Sequence, residues 1–174
     1  MKFLKIILLS LVLSHSTALH VSADTPYFLD FKYILNQSDA GKKAQIFLKN
    51  KLNNGIKKLQ AEEKSIQEDE KKIIQQKKIL SVEEYKKKVE VLRKNVSSLQ
   101  KNRNNLLENV AKQRALAKKT LLENLNPIIK EYMQENKIRM VVDKKSLLLA
   151  DENLDITQKI ITILNKKLKS IKLD

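Results

Sequence analysis

Side chains suited to acid–base or metal chemistry are scarce in this sequence, whereas lysine is abundant. The only histidines are His15 and His20, and there is no cysteine. Both histidines sit in an N-terminal stretch that reads as a secretory signal. Lys2 and Lys5 precede the apolar run Ile6–Leu13, and Val21-Ser22-Ala23 supplies a small-x-small cleavage pattern. The run is too short to span a bilayer, which needs about 20 apolar residues. Residues 1–23 are therefore expected to be removed, leaving Asp24–Asp174 outside the cytoplasm of a bacterium with no imidazole and no thiol. That excludes His- and Cys-based catalysis and the common zinc and copper ligand sets. A Gly-rich phosphate loop, G-x-S-x-G and H-E-x-x-H are all absent as well. The expectation is a protein that is not an enzyme and carries no cofactor and no metal.

The chemistry left to this chain is long-range attraction by lysine. The sequence holds 35 Lys+Arg against 20 Asp+Glu, a formal charge of +15. The imbalance is local. Residues 42–126 contain 22 basic and 10 acidic side chains, a difference of +12, while residues 24–41 contribute −2 and residues 127–174 contribute +3. Dense runs lie at Lys71–Lys78, Tyr85–Lys88 and Lys112–Lys119. A run of charge is usually only the solvated face of a helix, but a twelve-charge excess confined to one segment builds a field that attracts acidic partners. The candidate contacts are Lys71, Lys72, Lys77, Lys78, Lys86, Lys87 and Lys88. Anionic envelope lipid or an acidic protein fits an exported chain, and nucleic acid is not expected.

Helices must carry these lysines. Two Gly and two Pro are too few to punctuate a sheet-rich fold. Leu52, Leu59, Ile66, Ile73 and Leu80 recur every seven residues, and after Ser81 the alternation of threes and fours resumes through Val82, Tyr85, Val89, Leu92, Val96 and Leu99. That is the coiled-coil period. Ser81-Val82-Glu83-Glu84 has the form of a capping box, and Leu80 and Tyr85 stand at the positions of a hydrophobic staple. A seam that stops at Leu80 and restarts at Val82 predicts a reversal at 80–81 and an antiparallel hairpin over residues 42–126, the alternative being one continuous helix. Across that turn Asn54 and Gly55 lie level with Asn104 and Asn105, a stretch of weak helix formers that is a candidate hinge.

The remaining residues, 24–41 and 127–174, are expected to form a small body of three short strands and a final helix. Asn126-Pro127 suggests the cap of a new segment or a kink. Candidate strand residues are Tyr27, Phe28 and Leu29, then Ile138, Met140, Val141 and Val142, then Leu147, Leu148 and Leu149. Asp155-Ile156-Thr157 resembles a helix cap. So small a core, with open strand edges, calls for self-association.

With those residues in place, the chain resembles the Skp/OmpH family of periplasmic chaperones. The likeness rests on Ile138-Arg139-Met140-Val141-Val142-Asp143, on Asp155-Ile156-Thr157, and on Tyr27-Phe28-Leu29-Asp30 followed by a short helix through Asn36. The order of elements agrees over essentially the whole chain. The resemblance implies a mostly α fold in which a long antiparallel helical-hairpin tentacle projects from a small β-containing trimerisation body. It further implies a periplasmic homotrimer that holds unfolded outer-membrane proteins between its tentacles without ATP, and it links such proteins to lipopolysaccharide. The rival reading is a coiled-coil structural or adaptor protein of the envelope.

Overall fold

The computed structural model describes residues 25–174; the expected signal segment lies outside them. The elements in order are β1 (Tyr27–Leu29), α1 (Phe31–Gln37), α2 (Asp39–Gln76), α3 (Val82–Glu135), β2 (Val141–Asp143) and α4 (Thr157–Lys167). Short 3-10 turns occupy Lys144–Ser146 and Glu152–Leu154. At 1.5 Å per residue, α2 extends about 57 Å and α3 about 81 Å. The two run antiparallel as one projecting hairpin.

Serines set both starts. The Ser38 hydroxyl accepts from the Gly41 amide at 3.2 Å, so α2 begins at Asp39, three residues earlier than the periodicity suggested. Gly41 is needed there because a Cβ would lie 2.0 Å from the Leu35 carbonyl oxygen where α1 meets α2. At the tip, the Ser81 hydroxyl accepts from the Glu84 amide at 3.3 Å, and the Glu84 carboxylate accepts from the Ser81 amide at 3.0 Å. α2 ends at Gln76 rather than Leu80. The amides of Ile79 and Leu80 both donate to the Gln76 carbonyl at 3.0 Å, closing the reversal before Ser81. Removing this cap with Ser81→Ala is expected to cost about 1 kcal/mol. Hydrogen exchange should show faster exchange of the first amides of α3 and no change in the body.

Three expectations about the body require correction. α3 does not stop at Asn126: it runs through Pro127 to Glu135. Pro127 is exposed, its missing donor frees only the Glu123 carbonyl, and the Asn124 amide reinforces the preceding turn by donating to the Thr120 carbonyl at 2.8 Å. The helix ends with Lys137 in the left-handed region (φ 55), its amide donating to Gln134 and that of Ile138 to Met133. That closure takes Ile138 into the core, so the second strand starts at Val141 instead of Ile138. Lastly, Leu147, Leu148 and Leu149 form no strand. The sheet has two strands, β1 parallel to β2 with Tyr27 opposite Val141 and Leu29 opposite Asp143. The far side of β1 is taken by Asp155–Ile156, through a bridge to Phe28 and an Ile156 amide donating to the Phe28 carbonyl at 2.9 Å. β1 is thus central, and 147–149 finds no partner within the same chain.

The core lies where the hairpin enters the body. Leu29, Ile34, Leu125, Ile156, Ile160 and Leu164 are wholly buried, with Tyr27, Val141, Leu168 and Ile171 packed around them. Asn165 accepts from the Asp39 amide at 2.8 Å, and Lys169 pairs with Asp39 at 3.5 Å, fastening the C-terminal segment to the base of α2.

Candidate functional site: a basic arm tip and an open-edged body

The seven lysines singled out by sequence gather at the remote end of the hairpin. Lys71 and Lys72 lie in the last two turns of α2, Lys77 and Lys78 in the reversal, and Lys86, Lys87 and Lys88 in the second turn of α3. All are exposed. Only Lys72 has a carboxylate within ion-pair distance among the described residues, Asp69 at 3.9 Å. Lys77 instead sits 5.8 Å from the centre of the half-buried Tyr85 ring. Hydrogen bonds from the Ser81 hydroxyl and amide, with the nearby Lys88 charge, hold the Glu84 carboxyl below its ordinary range. Glu84 therefore stays ionised as a cap. Residues 71–88 hold seven Lys and two Glu, a balance of +5.

Charge is paired off nearer the body. Lys94 meets Glu90 at 2.8 Å, Lys112 meets Glu108 at 2.6 Å, and Arg103 on α3 reaches Glu63 on α2 at 3.8 Å. The Lys94 and Lys112 ammonium groups hold the Glu90 and Glu108 carboxyls below the usual range. The uncompensated field is therefore concentrated at the tip.

The candidate hinge level is built differently from its composition. Asn54, Asn104 and Asn105 are exposed, and both helices continue unbroken through them. Gly55 lies against Leu106, where a Cβ would come within 2.4 Å of the leucine Cδ1. It gives the two helices room to approach. Sequence spacing placed 55 level with 106, but nothing in the pattern announced a close contact.

In the body, Tyr27, Phe28 and Leu29 occupy the central strand and Val141 and Val142 the outer one. β2 has a neighbour on one side only. Met140, just before it, is exposed, and after it Leu147 is half-buried while Leu148 and Leu149 are 101% and 95% exposed. An open strand edge flanked by bare leucines is a surface built to be covered. Missed by sequence was a groove of about 680 Å³ at the arm base, floored by Ala44, Leu48, Val110 and Leu121 with Lys49 and Arg114 among its lining.

Asp155 joins sheet to helix. Its carboxylate accepts from the Thr157 amide at 2.8 Å and meets Lys144 at 3.3 Å, while the Thr157 hydroxyl accepts from the Asp30 amide at 2.9 Å. Partial burial pushes the Asp155 carboxyl up, but the Thr157 and Lys144 hydrogen bonds together outweigh it and leave it below the ordinary range. A lowered folded value means its stabilisation is complete above the unfolded carboxylate range, near 4, and fades as pH falls through the folded value. Asp155→Ala is expected to cost about 1 kcal/mol at pH 7. Urea denaturation should show the gap from the parent narrowing as the pH is taken below about 4.

Compared with known proteins, residues 27–164 match the family described as outer membrane protein (OmpH-like). A search of curated proteins returns no match. Among solved structures, an OmpH-like protein of Caulobacter crescentus, described as a candidate outer membrane chaperone, matches with a TM-score of 0.81. The match covers 86% of this chain and 90% of that one at 18% identity, a likeness of fold.

Proposed function

The chain belongs to the OmpH-like family of outer membrane proteins, and from that premise we propose that it is an ATP-independent periplasmic holdase, a chaperone without a catalytic reaction. Its clients are unfolded outer-membrane β-barrel proteins, held between the basic arms of a homotrimer and kept from aggregating. The observation that carries this reading is the separation of roles along the chain. Unpaired lysines stand at the end of an arm about 57 Å long, and the bare leucines and open strand edge stand at the other end.

Each part has a physical task. Copies joined at the body cover the edge of β2 together with Leu148 and Leu149, which a single chain leaves in water. Residues 24–41 and 127–174 form this association body, and residues 42–126 form the arm. Projecting arms then surround a space whose rim is positive. An acidic unfolded chain is drawn in by the field and held by many weak contacts, so no sequence need be recognised. The groove at the arm base offers apolar surface to the same client. Diluting a urea-unfolded β-barrel protein into buffer with and without the mature chain tests this. Light scattering should stay low when the chain is present without nucleotide. Scattering that rises equally in both would count against the holdase and favour a structural or adaptor protein.

A further inference from the structure

The lysines are not the only exposed feature of the tip. Ile79 is 82% exposed and Val82 72%, one on each side of Leu80-Ser81, and Ile74 one turn below is 63% exposed. The reversal is held by backbone hydrogen bonds and the Ser81–Glu84 cap, so these aliphatic groups are fixed outward. Covering them by association of the bodies is excluded by distance, since α2 alone extends about 57 Å. Isolated exposed aliphatics are common on protein surfaces. Here three cluster at the outermost point of the arm, inside a collar of seven lysines with a balance of +5. An acidic soluble chain accounts for the collar and leaves the aliphatic crown unexplained.

We propose that the hairpin tip docks on the surface of an anionic phospholipid bilayer, with Ile79 and Val82 entering the headgroup layer and the lysine collar meeting the phosphates. Apolar groups surrounded by lysine are what an interfacial anchor requires. The aliphatics gain by leaving water, the lysine stems lie along the boundary, and their ammonium groups stay at headgroup depth. Anionic lipid attracts such clusters electrostatically. One arm offers a small apolar area, so docking is reversible and strengthens when several arms bind together. The proposal does not depend on the holdase reading, because it needs only the free tip.

The chain contains no tryptophan, so I79W places a single fluorophore at the tip, and L107W places one at an exposed position far down the arm. The mature chain is mixed with vesicles of equal parts phosphatidylglycerol and phosphatidylcholine, and with vesicles of phosphatidylcholine alone. I79W emission should shift to the blue and be quenched by brominated lipid only with the anionic vesicles, while L107W stays unchanged. I79S/V82S, which keeps every lysine and alters only exposed positions, should lower cosedimentation with anionic vesicles about tenfold. The proposal is overturned if I79W does not shift, or if L107W shifts equally, since the whole arm would then lie on the surface. It is also overturned if a soluble polyanion such as heparin shifts I79W as far as the vesicles do, since charge alone would then suffice.

Discussion

Replacing Lys71, Lys72, Lys77 and Lys78 together by glutamate is expected to weaken capture of an acidic unfolded β-barrel protein at least about tenfold at low salt. The substitutions take residues 71–88 from +5 to −3, as each of four changes subtracts two charges. Exposed charge pairs contribute about 0.2–1 kcal/mol each, so four lost attractions that become repulsions amount to a few kcal/mol. All four side chains are exposed, and only Lys72 has a carboxylate nearby, so the fold should tolerate the change. Screening supplies the internal control. The Debye length falls from about 10 Å at 0.1 M salt to about 3 Å at 1 M, and the difference between parent and variant should shrink accordingly. Fluorescence titration of a labelled client at both salt concentrations measures it. Equal capture at low salt would remove the lysines from the account and leave enclosure between the arms alone.

The second large effect is expected from Leu148→Asp with Leu149→Asp. In the isolated subunit both side chains stand fully in water, so two carboxylates there should barely alter its helix content or melting. In an association that buries this surface, each carboxylate would have to be desolvated without a partner, at a cost of several kcal/mol. The oligomer should therefore fall to monomers, seen by light scattering, with circular dichroism unchanged. Val141→Asp is the less discriminating variant, since Val141 packs on the subunit's own core and its loss would disturb folding and association together. An oligomer that survives the double substitution would place the interface elsewhere.

The parts of the fold legible in the sequence were those written in local chemistry. Ser81 and Glu84 announce the reversal because a cap is made within four residues, and Asp155 announces α4 for the same reason. The heptad seam placed residue 55 opposite 106 because helical geometry is regular. The sheet was less legible. β1 and β2 pair in parallel across more than a hundred residues, and a parallel register leaves no turn signature between its strands. Leu147, Leu148 and Leu149 have the apolar character of a strand, but a strand needs a partner, and within one chain Asp155–Ile156 already occupies the free side of β1. Pro127 misled in the opposite way: an exposed proline near the end of a well-packed helix removes one hydrogen bond without ending it. Gly55 carried a packing role that composition showed only as weak propensity. Of the candidate site, the lysine cluster was legible because charge needs no folding to be counted. The aliphatic crown around Ser81 was not, because exposure depends on how the reversal is closed.

The central claim is that copies of this chain join at the body and hold an unfolded β-barrel protein between their arms. The mass of residues 24–174 in solution, measured alone and again with an unfolded outer-membrane protein, tests it most directly. The account predicts three times the subunit mass for the protein alone, and a discrete, non-aggregating complex of that trimer with one client. A monomer, or an oligomer whose mass is unchanged by the client while the client precipitates, would contradict it.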